Sequence, residues 1–150
     1  MDNTDKSILR ELQQNARIST AELARQIGLS TSATSERIAR LERDGIIRGY
    51  TALVDCSSLG LNVTAFILVP VGNSPIEEMG MVISQFPHVL ECHKVTGNTC
   101  FLVKVKVPGM DQLEEIIDSI NRVAPNTYSY VVLSTFKESA QLTIPAGEES

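Results

Sequence analysis

Between Ser30 and Arg40 the chain concentrates five short hydroxyl side chains, Ser30, Thr31, Ser32, Thr34 and Ser35, and two guanidinium groups, Arg37 and Arg40. Hydroxyls exchange hydrogen bonds with base edges, and a guanidinium forks onto phosphate or guanine, so this mixture has the chemistry of duplex contact. Glu36 and Glu42 stand among them, and the arginines would serve equally as intrahelical partners for those carboxylates on a solvated face. A second grouping, His88, Cys92, His93 and Cys100, offers the thiolate and imidazole donors that suit zinc or copper. Adjacent strand residues point to opposite faces, so Cys92 and His93 diverge, and neither a metal site nor a cofactor is expected. Carboxylates and the two histidines are dispersed without a nucleophile–base pair or a phosphate-cradling glycine loop, which argues against an enzyme.

The elements that must position the first group follow from spacing. Ile8, Leu9 and Leu12 share one face of a helix over residues 5–15 that Asn15 closes. Ser19 and Glu22 form a capping box for a second, short helix carrying Leu23, Ala24 and Ile27. Gly28 ends it, and Ser30 caps a third helix reaching about Asp44, where Gly45 stops it. Ile38 and Leu41 face inward there, leaving Thr31, Ser32, Thr34, Ser35, Arg37 and Arg40 outward. A small Ala24 at the crossing and a glycine turn suit a helix-turn-helix better than a plain three-helix bundle. Ile46 to Val54 reads as an extended arm.

The second half opens with an apolar strand, Val63 to Val71. Ser74-Pro75-Ile76-Glu77 starts a helix that Pro87 ends. Val89–Val95 and Cys100–Val107 read as strands joined across Thr96-Gly97-Asn98-Thr99. Asp111 with Glu114 caps a further helix, and Thr127 to Leu133 supplies the last strand. The order βαββαβ is the ferredoxin-like split unit, so the fold class is α+β. If Val95 opposes Cys100, then Phe101, Val103, Val105 and Val107 share the helix-covered face with Leu90 and Cys92. The other face, with Glu91, His93, Val95, Cys100, Leu102, Lys104 and Lys106, is semi-apolar and a candidate for burial against a second subunit.

Residues 1–50 hold eight Lys and Arg against seven acids, whereas residues 51–150 hold five against eleven, within a net charge of −5. A near-neutral, arginine-bearing first third on an acidic remainder excludes a non-specific nucleic-acid coat and permits a DNA reader fused to another domain. No apolar stretch reaches signal-peptide or membrane-span length, which places the protein in the cytoplasm, away from membranes. Cys56, Cys92 and Cys100 lack CxxC spacing, so reduced, structural thiols are expected rather than disulfides or a redox sensor at Cys100.

The stretches LSTSATSERIARLERDGIIRGYTALVD, ECHKVTGNTCFLVKVKVPGM and SYVVLSTFKE together resemble the Lrp/AsnC family of transcription regulators over nearly the whole chain. That resemblance implies a winged-type helix-turn-helix over 1–50, a connecting strand over 51–62, and a ferredoxin-like sensing domain over 63–150. It implies homodimers that bind double-stranded DNA and assemble further, often to octamers, with an amino-acid effector. The family's effector loop falls on Thr96, Gly97, Asn98, Thr99 and Cys100, and hydroxyls of the last strand fall on Thr127 and Ser129. Cys100 stands where many members carry an aspartate suited to a ligand's ammonium group. Weak binding of ordinary amino acids is therefore expected, improved by Cys100→Asp. Two other classes stay open at this point. An RNA-binding module would require exposed aromatics in the third strand, where Phe101 stands alone; an amino-acid-binding interaction domain would leave the DNA-binding half without purpose.

Overall fold

The computed structural model describes residues 1–71 and 75–145. It divides into two units: Met1–Leu53 together with the chain from Lys137 onward, and Val54–Phe136.

The first unit holds helices α1 (Asn3–Gln14), α2 (Thr20–Ile27) and α3 (Thr31–Arg43). Ile8, Leu23 and Leu41 form its buried centre, with Leu9, Leu12, Ile18, Ile27, Ile38 and Ile47 packed around them. α1 starts earlier than the apolar spacing indicates, because Asp2 and Asp5 make a reciprocal capping box: Asp2 accepts the Asp5 amide at 2.8 Å and Asp5 accepts the Asp2 amide at 3.1 Å. At α2 the Ser19 hydroxyl accepts the Glu22 amide at 3.1 Å. The Glu22 carboxylate, expected to return to Ser19, instead takes the Gln26 side-chain amide and pairs with Arg25. Gly28 adopts φ +73° and Ser30 Oγ accepts the Ala33 amide at 3.2 Å, so the turn and the α3 cap lie where the sequence puts them.

Beyond α3 the expected extended arm is not a strand. The amides of Ile46 and Ile47 both donate to the Leu41 carbonyl, folding the chain back so that Ile47 packs on the helical core. The C-terminal segment returns to the first unit. Leu142 N–H donates to Gln13 Oε1 at 2.6 Å, Gln13 Nε2 donates to Leu142 O at 3.2 Å, and Gln141 Nε2 donates to Gln13 O at 3.0 Å. Arg10 reaches the Ile144 carbonyl, so this segment lies along α1.

The second unit contains β1 (Val63–Pro70), α4 (Ile76–Ser84), β2 (Val89–Lys94), β3 (Thr99–Val107), α5 (Met110–Val123) and β4 (Tyr128–Val131). Its sheet is antiparallel in the order β2-β3-β1-β4, the split βαββαβ arrangement. Ala65, Ile67 and Val69 of β1 join Val103, Val105 and Val107 of β3 in a core closed by Met79 and Ile83 of α4 and by Leu113, Ile116 and Ile120 of α5. α4 crosses β3 closely, because a Cβ at Gly80 would stand 3.0 Å from two ring carbons of Phe101. The expected Ser74 cap lies outside the described residues. Gly109, not Asp111, is the N-cap of α5, which leaves Asp111 exposed in the first turn.

The hairpin register is as expected: Val95 N–H donates to Cys100 O at 2.9 Å, and Cys92 pairs with Val103. Two irregularities break the alternation around it. The β2–β3 register slips between Val89 and Glu91, so Leu90 turns outward at 57% exposure instead of joining the core. The β1–β3 register slips where Val69 faces Phe101 but Pro70 faces Thr99, leaving Cys100 as the extra residue. Cys100 is consequently 4% exposed and lies in the core with Phe101, not on the outer face.

Candidate DNA interface and effector region

The start of α3 presents Thr31, Ser32 and Ser35 to solvent, as expected of a recognition helix. Ser30 is committed to the cap and lies 3.2 Å from Ser32 Oγ. Thr34 is a correction. It is 0% exposed, with its hydroxyl turned back to donate to the Ser30 carbonyl at 3.0 Å, so it does not lie on the outward face.

Arg37 and Arg40 have partners that the sequence reading did not supply. Neither uses Glu36. Arg37 Nη1 donates to Asp2 Oδ2 at 2.7 Å and to Asp5 Oδ1 at 2.8 Å. Arg40 Nη2 donates to both oxygens of Asp5 at 2.8 Å. Asp5 itself is 1% exposed, so these are charge-assisted bonds on an interior carboxylate. The Asp5 amide and the Arg37 guanidinium hold Asp2 at a pKa of about 2, while Asp2 and then Asp5 push the Arg37 pKa further up. A carboxylate pair at a helix start with two arginines three residues apart on another helix was the available signal. Glu42 accepts the Tyr50 hydroxyl at 2.9 Å, and burial followed by that bond raises the Tyr50 pKa to about 12.

In the second unit, Thr96, Gly97 (φ +110°) and Asn98 form the exposed hairpin tip, with Thr99 half-buried. The tip and the start of β4 lie at the same end of the sheet on either side of β1, since Pro70 faces Thr99 and Leu68 faces Tyr128. Thr127 at that end donates its amide and its hydroxyl to Asn121 Oδ1, at 3.2 and 3.0 Å. Ser129, opposite Ile67, is exposed. The loop, Thr127 and Ser129 share one end of the sheet and carry amides and neutral hydroxyls without an acid, but β1 separates the loop from β4 and both Thr127 donors are taken by Asn121. Cys92 packs against the core cluster that holds Cys100, and burial, with Cys100 as a second cause, raises the Cys92 pKa. Among the described residues no three His, Cys, Asp or Glu cluster as metal ligands do.

The sheet's outer face carries the rows His93, Leu102, Leu68, Tyr128 and Glu91, Lys104, Phe66, Tyr130. Glu91 bonds His93 and Lys104 at 3.2 and 3.4 Å, and these groups, His93 first, hold its carboxyl below the usual range. Phe101 faces inward, so the third strand lacks the exposed aromatics that the RNA-binding reading requires of it.

Residues 1–48 match the winged helix-turn-helix DNA-binding model, and residues 64–142 match the Lrp/AsnC ligand binding domain. The leucine-responsive regulatory protein of Escherichia coli K12 is 33% identical over 150 residues, covering 96% of this chain and 92% of that protein. The crystal structure of an AsnC family transcriptional regulator from Agrobacterium tumefaciens superposes with a TM-score of 0.89 at 30% identity, covering 95% of this chain and 97% of that one. A Neisseria meningitidis transcriptional regulator, solved as a complex with L-Met, gives a TM-score of 0.87 at 29% identity, covering 95% and 96%. Fold, matches and exposed α3 start together define a DNA-binding transcription regulator with a separate ligand-binding domain. The chain belongs to the Lrp/AsnC family. No helix among the described residues is long and apolar enough to cross a membrane.

Proposed function

We propose that this regulator works in the cytoplasm, without catalysis, as a homodimer that can assemble to octamers. Each protomer places α3 in one major groove of a pseudo-palindromic site. The observation that carries this reading is the exposed hydroxyl cluster Thr31, Ser32 and Ser35 at the start of α3, which reaches base edges while Arg37 and Arg40 meet phosphates. Support for the dimer comes from the outer sheet face, where Tyr128 and Tyr130 are 66% and 58% exposed beside Leu68, Phe66 and Leu102. The effector is an amino-acid-like molecule, the class named for the Neisseria relative, held by Thr96–Thr99, Thr127 and Ser129. With no acid among them, the ammonium group of an ordinary amino acid lacks a charged partner, so binding is weak.

Selection of duplexes from a random pool by the full-length protein, with and without an amino-acid panel, tests the reading. The expected result is enrichment of a site with two half-sites about one helical turn apart, with Ser35→Ala altering base preference. Enrichment lacking two-fold symmetry, or none, would overturn it.

A further inference from the structure

Four charges meet where α1 begins: the carboxylates of Asp2 and Asp5 and the guanidinium groups of Arg37 and Arg40, all in the first unit. Each carboxylate engages both of its oxygens. Asp2 takes the Asp5 amide and Arg37, and Asp5 takes the Asp2 amide, Arg37 and Arg40. Among the described residues each arginine, by contrast, bonds through one amino group, Nη1 of Arg37 and Nη2 of Arg40. A guanidinium has five N–H donors in a rigid plane, so fixing one amino group fixes the direction of the rest. The side chains of Arg37 and Arg40 keep 27% and 44% of their exposure, whereas that of Asp5 keeps 2%. The cluster therefore turns an interior face toward α1 and an outward edge of N–H donors toward solvent, on the helix that carries Thr31, Ser32 and Ser35. Two positive and two negative charges also cancel. These arginines accordingly add little to long-range attraction for a polyanion, and what they retain is direction.

We infer that Asp5 is a positioning residue for DNA reading: its interior carboxylate aims the free N–H edges of Arg37 and Arg40 at backbone phosphates and so sets how α3 seats in the groove. This rests on the assignment of α3 as the DNA-reading helix. Phosphate contacts fix register and carry no sequence information themselves, so their misdirection is felt as a loss of discrimination rather than of attraction. Removing the Asp5 charge should weaken binding to the chosen site while leaving binding to arbitrary DNA unchanged or stronger, because the cluster beneath the arginines then carries one negative charge fewer.

The test uses full-length protein, the duplex selected by the wild type, and a scrambled duplex of equal length. Wild-type selection of a defined site tests the DNA-reading assignment; the variants then test the inference separately. Asp5→Asn keeps shape and the cap acceptor, and Arg40→Lys keeps charge but loses the planar fork and so reads the same aim if Asp5→Asn fails to fold. In variants whose circular dichroism is that of the folded protein, the expected result is at least about a tenfold loss on the selected duplex. For Asp5→Asn, affinity for the scrambled duplex should hold or rise, with a steeper salt dependence; for Arg40→Lys, which alters a phosphate-facing group itself, the loss should be larger on the selected duplex than on the scrambled one. A merely structural role would lower both affinities in parallel with the folded fraction. Equal losses on both duplexes, or an unchanged ratio of the two affinities in folded Asp5→Asn and Arg40→Lys, would overturn the inference.

Discussion

Cys100→Asp brings the core and the effector region into one experiment. The thiol is 4% exposed among Val69, Phe101 and Val103, at the extra residue of β3. A neutral carboxyl placed there without a partner would cost about 2 kcal/mol. An ionised one costs more, so its pKa rises. If burial holds it protonated at pH 7, about three pH units above its unfolded value, the further cost is about 4 kcal/mol at 1.36 per unit. The sign is fixed by linkage. The folded pKa lies above the unfolded one, so the charge-related part of the penalty is absent below about pH 4 and grows as pH rises toward the folded pKa. Total destabilisation near 6 kcal/mol at pH 7 should therefore shrink to about 2 kcal/mol at pH 4. Since 1 kcal/mol moves the melting temperature of such a unit by about 4–8 °C, a fall of more than 20 °C is expected at pH 7, with partial recovery in acid. The family-based expectation that this aspartate would improve amino-acid binding is thereby reversed, because the carboxylate would face the core rather than the loop. Thermal melts at pH 4 and 7, with Cys100→Ser as the small-polar control, decide the matter. A melting temperature within a few degrees of wild type at pH 7, or stronger amino-acid binding by calorimetry, would refute the reasoning.

Gly80→Ala should destabilise the second unit by about 1–3 kcal/mol in urea titrations, because the new methyl meets the Phe101 ring at 3.0 Å. Asp2 titrates near 2 in the folded protein against 3.8 ordinarily, so its contribution is present above about pH 4 and lost as pH falls toward 2. Asp2→Asn should flatten that part of the stability–pH curve, measured by denaturation between pH 2 and 5. Deleting the chain from Lys137 onward should lower the stability of the helical unit by about 1–3 kcal/mol, read from its own thermal transition, through loss of the bonds to Gln13 and Arg10.

Much of the architecture was legible because the caps and the apolar periods agree. Ser19, Gly28 and Ser30 mark the turn locally, and the βαββαβ order follows from alternating strand and helix periods. What escaped depends on contacts distant in sequence. Thr34 reads as outward from its polarity, yet a threonine on a helix can satisfy its hydroxyl at the carbonyl four residues back and then bury its methyl. Leu90 and Cys100 exchange the expected faces because each sits at a bulge, and a one-residue slip has no signature in the alternation itself. The partners of Arg37 and Arg40 lie more than thirty residues away, beyond the reach of local spacing, which offers only Glu36 and Glu42.

The helical unit is closed by two segments far apart in one chain, and protein synthesis meets them in order. On the ribosome α1, α2 and α3 emerge first, but the segment that bonds Gln13 emerges only after all of Val54–Phe136 has been made. At roughly 5–20 residues per second the DNA-reading unit waits several seconds for its last piece, with the exposed flank of α1 open to other chains in the meantime. Sister polypeptides growing side by side on one messenger would meet during that interval, and a C-terminal segment from one could settle on the α1 of its neighbour.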